Sequence, residues 1–329
     1  MIYKYTTYGR LPEILINNTL HFSCPLDFND PFDSYVNMKD RNDYSKDDIN
    51  EIINSKGNEA KKKLFRKITC QDNKEAEKKF AENKEKAARS LLVLSLSALK
   101  DNILMWSHYA DSHKGFCIGF ESNIDFIGFI KGRHSINIEE LGNSEDEIKY
   151  KKLLSTFNNS EYLLFEKRFF IDNIFQDNAK IELASEIASK KYRKELICLP
   201  LHEIKYPSSN NMPEAYDFFK HDISSDYRIK KIELKKLESF LKIKSNSWRY
   251  EKEKRIIITY SDISKECKDN NVKFEKSFLK EIIFGINTSE THKLCIRLLT
   301  EKMGYKDVEF FQAERSKGKY EIEIKRLHN

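Results

Sequence analysis

Between Leu99 and Phe120 the spacing of apolar side chains changes period. From Leu99 to Ala110 they recur every three or four residues, which predicts a helix, whereas Phe116 to Phe120 (FCIGF) alternates as a buried strand does. The polar run Asp111 to Gly115 joins the two as a turn, where Gly115 can supply a positive φ. The same reading predicts a strand at Tyr3–Thr6, a helix at Leu11–Asn17 and a strand at Leu20–Ser23. Asn29-Asp30-Pro31 marks a turn, because Asn and Asp bond nearby backbone and the residue before proline leaves the helical region. Residues 45–90 are charged and helical in period, from a capping-box-like Ser45 and Asp48 through Glu75/Lys79 and Lys78/Glu82 pairs. Leu91–Ser97 (LLVLSLS) reads as a buried strand.

Farther on, residues 145–198 are expected to be mainly helical, with Phe157, Tyr162, Phe165, Phe169 and Ile174 facing a core. A strand at Ile204–Tyr206, a loop at 207–213 and a helix through Leu241 follow. Ser247–Arg255 is expected to run as one charged strand into Ile256-Ile257-Ile258. Strand, helix, strand, strand then close the chain, at Ile282–Gly285, up to Met303, at Val308–Gln312 and at Tyr320–Arg326. This is an α+β pattern: a mixed, partly split sheet in one domain spanning 1–329, with helical insertions at about 40–90 and 145–200.

Composition narrows the classes. At 329 residues the chain can bury a large core without staples. The 58 basic and 52 acidic residues leave a net charge of +6 spread along the chain, which permits a nucleic-acid partner without arguing for one. Six scattered cysteines offer no C-x-x-C spacing and read as reduced thiols. The first residues lack a signal-peptide pattern and no apolar run reaches membrane-spanning length, so a cytoplasmic protein with no membrane partner is expected.

Chemistry concentrates in two places. Glu251, Glu253 and Arg255 lie two apart and would share a face of the expected strand. A carboxylate held by Arg stays ionised while a second one nearby is pushed upward, which suits an anionic stabiliser beside an orienting or protonating group. An exposed Glu/Arg ladder on an edge strand is the alternative. The other place is Met105–Glu121 (MWSHYADSHKGFCIGFE), where Trp106, His108, Tyr109, Asp111 and His113 gather about the predicted turn. Here the alternative is packing for the rings and a hydrogen-bonded, half-buried role for His108.

Other chemistries lack their patterns. G-x-G-x-x-G, G-x-x-x-x-G-K-[ST] and H-E-x-x-H are all absent. Ser107 and His108 are neighbours and cannot face each other on a helix. Asp226 with Glu233-Leu234-Lys235 leaves a metal-dependent nuclease open as an alternative.

Three segments in order, LHFSCPLDFNDPFD at 20–33, MWSHYADSHKGFCIGF at 105–120 and WRYEKEKRIII at 248–258, resemble the bacterial family of unknown function DUF2971. The likeness extends from the opening YKYTT to LKEIIFGINTS at 279–289. The layout also resembles the ADP-ribosyltransferase superfamily, in which NAD lies in a cleft of a split sheet, with an Arg or His on the first strand, a Ser or Tyr on a middle strand and a Glu on a late one. That resemblance puts Tyr5 in the first place, Tyr109 in the second and Glu253 in the third. The first strand here offers neither Arg nor His.

The resemblance implies an NAD-dependent toxin or anti-phage defence effector acting on a macromolecular target, protein or nucleic acid. Glu253, Glu251 and Tyr109 would be catalytic. Trp106 would stack on the cofactor, Asn29, His108 and His113 would bond its ribose or phosphates, and Tyr5, Asp30 and Arg255 would complete its site. Breaking the nicotinamide–ribose bond passes through an oxocarbenium-like state that a carboxylate stabilises. A ligand-binding or regulatory module without turnover is the competing class.

Overall fold

A computed structural model describes residues 1–33, 85, 88–122, 161–170, 179–208, 238 and 240–327. The chain divides into two compact units, one of Met1–Phe22, Val93–Glu203 and Tyr250–Asn329, the other of Ser23–Leu92 and Ile204–Arg249.

In chain order the described elements are β1 (Ile2–Thr6), α1 (Leu11–Asn17), β2 (Thr19–His21), β3 (Leu91–Ser97), α2 (Ile103–Tyr109), β4 (Phe116–Phe120), β5 (Tyr162–Glu166), α3 (Ala179–Tyr192) and β6 (Leu196–Pro200). They continue with β7 (His202–Glu203), β8 (Glu253–Thr259), β9 (Asn271–Lys273), β10 (Leu279–Phe284), α4 (Glu290–Lys302), β11 (Glu309–Arg315) and β12 (Ile322–Arg326). Eight strands form a mixed sheet in the order β12-β11-β10-β4-β1-β3-β8-β7, and β2–β9 and β5–β6 make separate two-stranded ladders.

The sheet's centre follows from its least polar segments. Every residue of β4 is buried, and both its neighbours, β1 and β10, run antiparallel to it. The register sets Tyr3 opposite Gly119 and Tyr5 opposite Cys117, so these share one face, while Lys4, Thr6, Phe116 and Ile118 share the other. On the first face Met105, Trp106 and Ala110 pack with Tyr3, Tyr5, Cys117, Ile283 and Ala313. Removing a ring such as Trp106 from water stabilises by about 2–3 kcal/mol. β10 and β11 are parallel and joined through α4, a crossover unit whose helix buries Ile296 and Thr300.

The second unit, described by itself, carries the expected turn after Asn29. The amide of Phe32 donates to Asp30 Oδ1 at 2.9 Å, and that of Asp33 to the Asp30 carbonyl at 3.0 Å. Lys244 pairs with Asp33 at 3.6 Å and lies 4.9 Å from the centre of the Trp248 ring.

Helix 11–17 and strands 91–97 and 116–120 have the predicted bounds. Others differ for identifiable reasons. The helix expected from Leu99 starts at Ile103, because Asn102 caps it by accepting from the amides of Leu104 at 2.9 Å and Met105 at 3.1 Å. Among the described residues of 145–198 the long helix α3 is present, but the stretch also holds two strands that the reading did not expect: β5 and β6 pair antiparallel from Tyr162↔Pro200 to Glu166↔Leu196, with α3 between them in sequence. A run of buried apolar residues fits strand and helix alike, and the partner strand decides. The strand expected at 204–206 is instead β7, at His202–Glu203.

The segment 247–255 is not one strand: Asn246–Glu251 is 3-10 helical, Lys252 has φ of 44°, and β8 begins at Glu253. The pairs Ser45/Asp48, Glu75/Lys79 and Lys78/Glu82, with Phe157, Ile174, Asp226, Glu233 and Lys235, lie outside the described residues.

Candidate functional site

Two of the segments singled out for chemistry meet in the first unit. Tyr109, the last residue of α2, donates from its hydroxyl to Glu251 Oε1 at 2.7 Å, a bond between residues 142 apart in sequence. Glu251 is only 3% exposed. Its backbone is fixed from β3: Ser97 Oγ donates to the Glu251 carbonyl at 2.7 Å, and the Ala98 amide donates to the Lys252 carbonyl at 3.0 Å. Asn102, besides capping α2, donates from Nδ2 to the carbonyl of Tyr250 at 3.2 Å. One residue thus ties the start of the helix bearing Tyr109 to the segment bearing Glu251. The exposed His108 ring lies 6.3 Å from that of Tyr109 and 6.4 Å from that of Tyr250, giving an aromatic border.

Glu253 and Glu251 do not act as a like-facing pair on one strand. The left-handed Lys252 between them breaks the alternation. Glu253, 6% exposed, accepts from Arg255 Nε at 2.6 Å and from a terminal guanidinium nitrogen at 3.0 Å. Such a two-point, charge-assisted pair is strong and holds both carboxylate oxygens. Close by, the half-buried Lys4 donates from Nζ to the Ser95 carbonyl at 3.0 Å. Burial lowers its pKa to about 8; Glu253 pulls the other way and Arg10 adds to the lowering.

Other predicted residues have packing roles. Tyr5 is 7% exposed and Trp106 fully buried, and their rings meet edge-on with centroids 5.3 Å apart. Each polar handle is used internally: Tyr5 donates to the Leu99 carbonyl at 3.0 Å, and Trp106 Nε1 donates to that of Lys100 at 2.9 Å. Neither ring face is open to a stacking ligand. Burial also pushes the Tyr5 hydroxyl well above its usual range, so it stays protonated. Asn29 is exposed and Asp30 buried, and both belong to the second unit.

His113 ends three consecutive left-handed residues, Asp111, Ser112 and His113, with φ of 46°, 52° and 69°. Each costs about 1 kcal/mol or more in a non-glycine residue. The amides of residues 112 to 115 donate to the carbonyls of Ser107, Trp106, Asp111 and Ala110 at 2.8–3.3 Å, so the turn satisfies its own backbone. Burial, and after it Arg315, holds the His113 imidazole below its ordinary pKa.

Reading the sequence missed Ser97, Asn102, Tyr250 and Lys4. Asn102 had a signal, a capping residue just before helical spacing; the others had none. Two surface cavities, of about 510 and 400 Å³, are lined by such residues as Lys167, Glu182 and Glu195, and Lys306, Phe310 and Arg326. Neither is lined by Tyr109, Glu251 or Glu253. No group of three or more metal-ligating side chains occurs among the described residues. The five described cysteines are free. No described helix is long and apolar enough to cross a membrane.

Residues 105–256 match the model of a family described as "Protein of unknown function (DUF2971)". That span contains the segments 105–120 and 248–256; the segments at 20–33 and 279–289 lie outside it. No curated protein and no solved structure matches the chain.

Proposed function

We propose that this protein is an NAD-using enzyme of ADP-ribosyltransferase-like chemistry, in which Glu251, rather than Glu253, is the carboxylate that faces the ribose. The observation that carries this reading is the 2.7 Å bond from Tyr109 to Glu251, which joins the aromatic segment to the late acidic one. In glycosyl transfer the departing nicotinamide leaves positive charge on the ribose, and a fixed carboxylate stabilises it. Glu251 has one oxygen oriented by Tyr109 and a backbone pinned by Ser97, which is the preorganisation such a group needs. Glu253 suits the role less, because Arg255 engages both its oxygens.

The rings of His108 and Tyr250 offer surfaces for a base. The acceptor is a macromolecule, protein or nucleic acid, and the setting that of a cytoplasmic toxin or anti-phage effector.

A second reading, a ligand-binding or regulatory module without turnover, is favoured by the burial of both carboxylates, at 3% and 6% exposure. Thermal melting of the full chain with NAD, alongside cellular NAD levels on overexpression, separates the two. The enzyme reading expects a raised melting temperature and falling NAD. A raised melting temperature with constant NAD supports the module, and no change in either removes NAD from both readings.

A further inference from the structure

A different part of the first unit, the hairpin turn between β11 and β12, gathers cations about an open ring. Arg315-Ser316-Lys317-Gly318-Lys319-Tyr320 holds three basic residues and no acidic one. The Ser316 amide donates to the Glu321 carbonyl at 3.0 Å and closes the hairpin, while Gly318, with φ of 76°, sits where an added Cβ would meet nothing within 4 Å. The tip stands clear of its surroundings. Tyr320 is 99% exposed, so its ring adds nothing to a core and keeps its faces open. Lys319 meets Glu321 at 3.7 Å with both side chains in water, a pair that solvent weakens. Arg315 and Lys317, also exposed, form no ion pair among the described residues.

The register of the stem decides where the first of these cations lies. Arg315 pairs with Ile322 and Ala313 with Ile324, so these four share one face, whereas Glu314, Glu323 and Lys325 point from the other. There Lys325 meets both carboxylates, Glu314 at 2.7 Å and Glu323 at 3.8 Å. The face of Arg315 is the one on which α2 packs: Ala313 and Ile322 belong to the same cluster as Met105 and Trp106, with Tyr109 and Tyr250 against it. Burial first, and the charge of Arg315 second, hold the His113 imidazole below its ordinary pKa, which sets Arg315 near the turn that follows α2. The tip thus leaves the sheet from the face that carries Tyr109.

Single-stranded nucleic acid matches both features, because it offers unpaired bases to stack and phosphates to neutralise cations. An acidic protein surface supplies only the charge, and a duplex hides its base faces. We propose that the hairpin tip Arg315–Tyr320 binds single-stranded nucleic acid, with a base on Tyr320 and phosphates on Arg315, Lys317 and Lys319, and that this strand is the acceptor for the Tyr109–Glu251 site. In the transfer, the bond from ribose to nicotinamide breaks and its electron pair leaves on nicotinamide. A base nitrogen or hydroxyl oxygen of the strand bonds the ribose carbon, and its proton passes to water. The acceptor role rests on the NAD-using reading of that pair; the binding does not.

Fluorescence anisotropy of the full chain with labelled single-stranded RNA and DNA of one sequence, and with polyglutamate as an acidic peptide, tests the binding without NAD. The strands should bind more tightly than polyglutamate and weaken as salt rises. A preference between RNA and DNA identifies which strand is the natural one, through the 2′-hydroxyl. Tyr320→Ala should weaken binding about tenfold. Lys317→Ala should lower the slope of log affinity against log salt by about 0.7, the share of one single-strand phosphate. Both positions are exposed, so melting temperatures should not change. No binding, equal affinity in the wild type and Tyr320→Ala, or polyglutamate bound as tightly as the strands overturns the proposal. With NAD added, the strand should gain ADP-ribose. Strand binding with NAD consumed but nothing transferred overturns the acceptor role, whereas binding with no NAD consumed overturns the NAD reading and leaves the binding site standing.

Discussion

A methyl group on Gly285 would sit 2.2 Å from the His113 carbonyl oxygen and 3.0 Å from that of Gly115, and both are backbone atoms that cannot swing aside. Gly285→Ala is expected to destabilise by about 3 kcal/mol, read as a lower denaturant midpoint with an unchanged slope. At Lys4 the structure predicts a pH dependence. Its folded pKa, about 8, lies below the unfolded value of 10.5. The unfolded chain therefore holds more protons between those values, and this group's contribution to stability rises with pH across that window. Below about pH 8 both states carry the charge and the penalty is fully present. Buried Tyr3 and Tyr5, pushed upward, act in the opposite sense above their ordinary range, so the difference between wild type and Lys4→Met isolates the lysine. That difference should shrink from pH 8 to 10.5 if the variant packs equally well. A pH-independent difference would show that Lys4 is charged alike in both states. None of this was legible in YKYT, where Lys4 looked like an ordinary polar residue between two tyrosines.

Among elements, α2 shows how sequence and structure divide the work. Its existence followed from apolar spacing, and its true start follows from Asn102, whose side chain holds both the cap and the Tyr250 carbonyl. Asn102→Ala should cost about 1–2 kcal/mol. It should also loosen the Tyr109–Glu251 pair, seen as faster amide exchange in 103–109 than a surface substitution such as Ser107→Ala produces. The Glu251/Glu253 segment was harder. Period-2 spacing suggested a common face, but nothing in WRYEKEKR announces that Lys252 adopts left-handed backbone. Likewise the pairing of β5 with β6 depends on segments some thirty residues apart, which local periodicity cannot weigh against helix. The strands with mostly buried residues, β3 and β4, were legible because burial on both faces leaves one unbroken apolar run.

Across the molecule, a large mixed sheet with few described helices carries the candidate site where β1, β3, β4 and β8 bring distant segments together. The sequence located the two segments that meet, around 109 and 251, but not that Tyr109 bonds Glu251 while Arg255 folds back onto both oxygens of Glu253. The central claim is that Glu251, oriented by Tyr109, stabilises charge developing on a ribose. The measurement closest to it is the rate of nicotinamide release from NAD by the purified chain and by Glu251→Gln, each verified as folded by its melting transition. Release by the wild type, reduced by about a hundredfold or more in Glu251→Gln, is the predicted result. Equal rates in the two proteins, or no release by a wild type saturated with NAD and offered candidate acceptors, would contradict it.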